Sequence, residues 1–158
     1  MDEISVFNNF RNLLKSKDID VLQLVPPGGQ APLSLTYESK KTQMKKIIFP
    51  DFLGVIKNNI LLGELKPKFS KDDFLKLKDF QESKDGYRNL LNLLKRRSNL
   101  NFNESDIAVH LLLIHSQESA TSKESIKQVI FLTDSEFIFL SENKRETHNL
   151  NVSLVELL

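Results

Sequence analysis

The stretch "IAVHLLLIH", Ile107 to His115, is apolar on both faces of an extended chain. A strand with one wet face alternates apolar and polar residues, whereas a strand buried on both faces reads as a continuous apolar run. This segment therefore needs cover on both sides, and a layered α/β arrangement follows. Helical spacing elsewhere supplies the cover. Phe7, Phe10 and Leu14 repeat at helical intervals, with Val6 and Leu13 widening the stripe, and predict an amphipathic helix from Asp2 to about Lys15. Ser70 with Asp73 three residues later resembles a capping box, and Phe74, Leu77 and Phe80 follow at the same spacing. Gly86 interrupts that pattern before Tyr87, Leu90, Leu91 and Leu94 resume it, which predicts one kinked helix or two short ones ending near Arg97.

Between the helices the chain reads as strand. "DVLQLV" is a short strand stopped by the turn "PPGG". "LSLTYESK", "KKIIFPDFLGVI" and "NILLGELK" then predict the successive strands of a meander. The last two are joined through "KNN", a tight turn in which Asn tolerates positive φ. "QVIFL" and "FIFL" flank "TDSE" as a hairpin, and "NVSLVELL" fits a last strand or a short helix. The expectation is one α/β domain over residues 1–158, a mixed central sheet flanked by helices. A crossover from "NILLGELK" through the helical stretch to "IAVHLLLIH" makes those two strands parallel, with a right-handed connection.

Several chemistries are excluded. The chain has no cysteine, so it has no disulfides, thiolate metal site or cysteine nucleophile. No Gly-rich phosphate loop and no Gly-x-Ser-x-Gly occurs. The apolar runs are too short to span a bilayer and the first residues do not resemble a signal peptide, so a soluble, cytoplasmic protein without a membrane partner is expected. With a formal net charge of +1, any basic surface has to come from local clusters. Lys40, Lys41, Lys45 and Lys46 form one; Lys66, Lys68 and Lys71 form another. These are candidate phosphate contacts, a solvated face being the ordinary alternative.

Charge inside the apolar runs is the feature that points to chemistry. Asp51 lies in one run, and Glu64 and Lys66, two apart and so on one face of a strand, end the next. A two-residue turn at Asn58–Asn59 puts Asp51 opposite Lys66, and one at Lys57–Asn58 puts it opposite Glu64. A three-residue turn or a bulge would instead send Asp51 to the other face. Two carboxylates brought together in apolar surroundings repel each other unless a cation lies between them. Mg²⁺ is typically held by one or two carboxylates, with water and phosphate oxygens completing its shell, and a nearby lysine can orient a water or stabilise charge on phosphorus. Asp, Glu and Lys together suit hydrolysis of a phosphodiester.

"PDFLGVIKNNILLGELK", Pro50 to Lys66, resembles the active-site signature of the PD-(D/E)XK nuclease superfamily: Pro-Asp, twelve intervening residues, then Glu-x-Lys across a hairpin. The resemblance implies a restriction endonuclease-like core, Mg²⁺ (or Mn²⁺) held by Asp51 and Glu64, Lys66 as the catalytic lysine, and a nucleic-acid substrate, DNA before RNA. Glu-x-Lys occurs four times in the chain, but only at Glu64 does it end an apolar strand preceded by an aspartate in another. Family members often add an acid from the first helix, for which Glu3 is the candidate, with Glu38 as the other. The Gln-x-x-x-Tyr of some branches is not matched, since Gln81 and Tyr87 are six apart. A chain of this size that cuts both strands is expected to pair as a homodimer, with "VIFL" and "FIFL" as the candidate interface. His110 and His115 fall on opposite faces of their strand and do not share a metal. The rival expectation is a non-catalytic module that keeps the fold and binds nucleic acid or protein.

Overall fold

The computed structural model describes residues 1–15, 19–97, 106–118, 125–142 and 144–158. Helix α1, Glu3–Leu14, starts at Asp2, whose carboxylate caps it by accepting the Ser5 N–H at 2.8 Å. Strand β1 is Asp20–Leu24, β2 Leu35–Glu38, β3 Lys45–Ile48, β4 Phe52–Ile56 and β5 Asn59–Leu65. Helices α2, Lys71–Glu82, and α3, Gly86–Arg97, lead to β6, Ala108–His115. Strands β7, Lys127–Phe131, β8, Glu136–Ser141, and β9, Lys144–Asn149, precede a closing turn of helix, α4, Leu154–Leu157.

Among the described residues seven strands form one sheet in the order β1-β4-β5-β6-β7-β8-β9, and β2 with β3 forms a separate ribbon. β5, β6 and β7 run parallel, and the remaining neighbours run antiparallel. The sheet is mixed and helix-covered, as the sequence predicts. Along β4 and β5, Leu53, Val55, Ile60 and Leu62 pack with Leu77 and Phe80 of α2 and Leu90 and Leu94 of α3. The alternate residues Phe52, Ile56, Leu61 and Leu65 pack with Val6, Phe10 and Leu13 of α1 and Leu154 of α4. Central β6 divides itself between the two cores, Leu111 and Leu113 on one side and Leu112 and Ile114 on the other. That division is the reason for its apolar run.

Four expectations change. The strands before β5 are not a meander: β1 pairs with β4, and the β2–β3 ribbon is inserted between them. "KKIIFPDFLGVI" is not one strand but two, β3 and β4, in different sheets. The break falls at Phe49-Pro50-Asp51, where proline cannot continue a ladder. Ile56 pairs with Asn59, so the hairpin turn is Lys57–Asn58, and it is Lys57, not an asparagine, that takes positive φ (52°). "VIFL" and "FIFL" are interior strands whose side chains fill this chain's own cores, Phe131 and Phe137 both being 1 % exposed or less, so they offer no surface for a second copy.

Of the two predicted forms, one kinked helix or two short ones, the structure has the two helices, the second ending at Arg97. Ser83 leaves helical geometry and its hydroxyl donates to the Phe80 carbonyl at 2.6 Å while accepting the Gly86 N–H at 3.0 Å. A Cβ on Gly86 would sit 2.4 Å from that hydroxyl oxygen, so glycine permits the tight restart of α3.

Candidate active site

The register of the β4–β5 hairpin decides where the charges meet. Phe52 pairs with Gly63, so Asp51, just before β4, lies opposite Glu64. The Asp51 side chain bends to accept the Leu65 N–H at 2.9 Å, and its carbonyl accepts the Val25 N–H at 2.8 Å. Beneath it, buried Gln23 in the bulged part of β1 donates through Nε2 to the Pro50 carbonyl at 2.6 Å and the Leu33 carbonyl at 3.3 Å. Its Oε1 accepts the Leu33 N–H at 2.8 Å. One glutamine therefore clamps the break between the two sheets and fixes the approach to Asp51.

Glu64 is 3 % exposed, on the face of the sheet that α2 covers. Burial first, then the adjoining Asp51 carboxylate within hydrogen-bonding reach, push its pKa from 4.5 up to about 8, with Lys76 pulling the other way. Lys76 of α2 places Nζ 3.0 Å from Glu64 Oε1 and 3.3 Å from Asp73 Oδ1. Burial alone would lower the pKa of this ammonium, but Glu64 and Asp73 outweigh it and hold the pKa above its ordinary value. Glu64 Oε1 and Asp73 Oδ2 are buried and accept no hydrogen bond among the described residues, so the Lys76–Glu64 contact is an ion pair without hydrogen-bond geometry.

Lys66 is exposed at the end of β5, its backbone N–H held by the Ile114 carbonyl at 2.9 Å. Its side chain makes no ion pair among the described residues. A cleft of about 190 Å³ is lined by Glu3 and Phe7 of α1, the Pro26–Gly29 turn, Asp51 and Lys66. Glu3 thus faces the same cleft as Asp51 and Lys66. Glu38 does not: it is exposed on the ribbon, opposite Lys45.

The donor set fits a hard cation held by two protein ligands. Asp51 is a carboxylate adjacent to Glu64 that disfavours the charge on Glu64, and Glu64 offers a buried oxygen that accepts no hydrogen bond among the described residues. Among the described residues no three acidic or histidine side chains converge on one point.

The predicted phosphate-contacting lysines divide. Lys40, Lys41 and Lys45 are exposed on the ribbon, and Lys68 and Lys71 are exposed beyond Lys66. Lys46 is committed to Asp79 of α2 at 3.4 Å. Asp79 also accepts the Tyr37 hydroxyl at 2.9 Å and the Ser39 hydroxyl at 2.8 Å. Burial would raise this carboxyl, but the two hydroxyls and Lys46 hold it below its ordinary value. This cluster fastens the ribbon to α2 and lines a cavity of about 530 Å³ that Lys76 also reaches.

The histidines take no part in the cleft. His110 shares Nε2 with Asn59 at 2.9 Å and Nδ1 with Lys127 at 2.6 Å, and burial with Lys127 lowers its pKa to about 4. His115 uses both ring nitrogens, on Gln128 and the Gln117 N–H.

Sequence reasoning misses Gln23 and Lys76. Gln23 is the one amide within "DVLQLV", a polar residue in an apolar run, which is a usable signal. Lys76 carries none beyond its helical spacing from Asp73.

Compared with known proteins, the chain matches no family model, no curated protein and no solved structure. Among the described residues no helix is long and apolar enough to cross a membrane.

Proposed function

We propose that this chain is a Mg²⁺-dependent nuclease of the PD-(D/E)XK kind, hydrolysing phosphodiester bonds of nucleic acid, DNA first. The observation that carries this reading is the adjacency of Asp51 and Glu64 at a break between two sheets, with Asp51 and Lys66 lining one cleft. Asp51 and Glu64 would hold the ion, which when bound supplies Lewis acidity toward a phosphodiester and lowers the pKa of a water. Asp51 is preset for that role by the Leu65 N–H, which turns its carboxylate toward Glu64. Lys66, exposed, lining the cleft and without an ion pair among the described residues, orients the attacking water and offsets charge on the phosphoryl oxygens. Glu3, across the cleft, is placed to position that water or to join the ion through one. Lys40, Lys41, Lys45, Lys68 and Lys71 guide the phosphate backbone, a contribution that weakens with salt. Cutting both strands of a duplex would call for two copies of the chain.

One observation favours a second reading. Lys76 already lies 3.0 Å from Glu64 without any metal, as it would in a non-catalytic module that keeps the fold and binds nucleic acid or protein. The deciding experiment incubates the protein with supercoiled plasmid, linear duplex, single-stranded DNA and RNA, with Mg²⁺, Mn²⁺ or EDTA, beside Lys66→Ala and Asp51→Ala. Metal-dependent cutting that both variants lose supports the nuclease, and the susceptible substrate names its class. No cutting, with no metal-induced rise in melting temperature, leaves the binding module.

A further inference from the structure

Lys76 places its ammonium against one of the two carboxylates proposed to hold the ion. Its Nζ lies 3.0 Å from Glu64 Oε1, one of the two proposed ligands, and 3.3 Å from Asp73 Oδ1 on the preceding turn of α2. The three side chains differ in exposure: 37 % for Lys76, 3 % for Glu64 and 11 % for Asp73. The lysine is therefore the member of the three that solvent reaches most, between two largely buried acids. Among the described residues Glu64 Oε1, the oxygen that faces the ammonium, accepts no hydrogen bond, so charge rather than a directional contact holds Lys76 to Glu64. The solvent-side part of Lys76 lines the 530 Å³ cavity beside the ribbon, which gives the side chain room to turn without repacking the core.

An ammonium and a divalent cation cannot both lie against one carboxylate edge, because their mutual repulsion in a poorly screened site is large. Leaving an ionised, buried Glu64 with no counter-charge is also costly. Together these constraints call for exchange rather than coexistence.

We propose that Lys76 is a tethered competitor for the cation site: it neutralises Glu64 while no divalent ion is bound and withdraws onto Asp73 when one arrives. Lys76 stabilises the empty site and sets how tightly the ion is held. Asp73 is a positioning residue that keeps the displaced lysine within reach. The inference rests on the reading of Asp51 and Glu64 as the ion-holding pair.

The test is calorimetric titration of the full chain with Ca²⁺ and Mn²⁺, so that affinity is read without turnover. Lys76→Met and Lys76→Gln remove the competing charge, and each tightens binding by about tenfold, the usual size of a coupling between sites. Lys76→Arg keeps the charge and stays near the wild-type affinity, which separates competition from a packing effect. Asp73→Asn removes the resting place and weakens binding several-fold. In the Lys76→Met background the same Asp73→Asn change has little effect, because no lysine remains to be received. Thermal melts establish that each variant is folded before titration.

Unchanged or weaker binding in both neutral Lys76 variants overturns the proposal, as does an Asp73→Asn effect of equal size in both backgrounds. If the folded wild-type chain binds neither ion, the metal-site reading itself fails and the competitor role falls with it. If the wild type binds and Asp51→Asn does not, the site stands and the Lys76 variants alone decide.

Discussion

Replacing Gln23 with leucine tests whether one buried amide sets the geometry of the cleft. The side chain is 6 % exposed and makes three contacts, to the Leu33 N–H (2.8 Å), the Pro50 carbonyl (2.6 Å) and the Leu33 carbonyl (3.3 Å). Leucine has a similar volume and no polar atom. It leaves the Leu33 N–H and the Pro50 carbonyl, the two groups with short contacts, without partners in a region closed to water. An unsatisfied buried group costs about 1–3 kcal/mol. Two of them, less about 1 kcal/mol for the added apolar burial, amount to a loss of about 3 kcal/mol. For a chain of this length that lowers the melting temperature by roughly 10 °C. Urea melts monitored by circular dichroism give the free energy directly, and the slope should be unchanged because the folded state keeps its compactness. The Pro50 carbonyl precedes Asp51, so the stabilisation conferred by millimolar Mn²⁺ should also shrink. A loss below 1 kcal/mol, or full metal-induced stabilisation in a destabilised variant, would refute the claim that Gln23 holds Asp51 in place.

Three further outcomes follow from the same contacts. Asp51→Asn should raise metal-free stability, because it removes the charge that opposes ionisation of Glu64 while an amide oxygen can still accept the Leu65 N–H; thermal melts in EDTA read this, and a drop in stability would count against charge repulsion at the pair. Asp79 has a folded-state pKa below its ordinary 3.8, so its contribution is fully present above that value and is lost as pH falls through the lower one. Urea melts across pH should accordingly show Asp79→Asn less stable than wild type at neutral pH, with the gap closing in acid; a gap independent of pH would mean that ionisation is not what fastens the ribbon. Lys57→Gly should stabilise by about 0.5 kcal/mol, the relief of a left-handed lysine exceeding the entropy cost of glycine, and a destabilised variant in the same melts would show the Lys57 conformation to be unstrained.

The elements legible in the sequence are those whose signal is periodic and local. α1 follows from Phe7, Phe10 and Leu14, and β6 from its unbroken apolar run. The β7–β8 hairpin follows from two short apolar strands around a turn, with Phe131 now paired to Phe137. Strand β9 escaped because "KRETHN" is an edge strand, nearly all exposed, held by backbone pairing to β8 rather than by any buried face of its own. In sequence the β2–β3 ribbon reads as part of the main sheet because its strands have ordinary strand patterns. What separates it is a set of contacts distant in sequence, Tyr37 and Ser39 with Asp79 among them.

The candidate site divides along the same line. The sequence by itself determined that Asp51, Glu64 and Lys66 lie on strand-like segments and that Glu64 and Lys66 share a face, because side-chain alternation is a property of the extended backbone. Only the tertiary structure decided that Asp51 faces Glu64, since the register depends on which two residues close the turn. It alone brought Glu3 to the cleft, left Glu38 on the outer ribbon, and set Lys76 against Glu64. Burial and electrostatic coupling depend on distances between segments far apart in the chain, and those distances exist only once the sheet and its helices have packed.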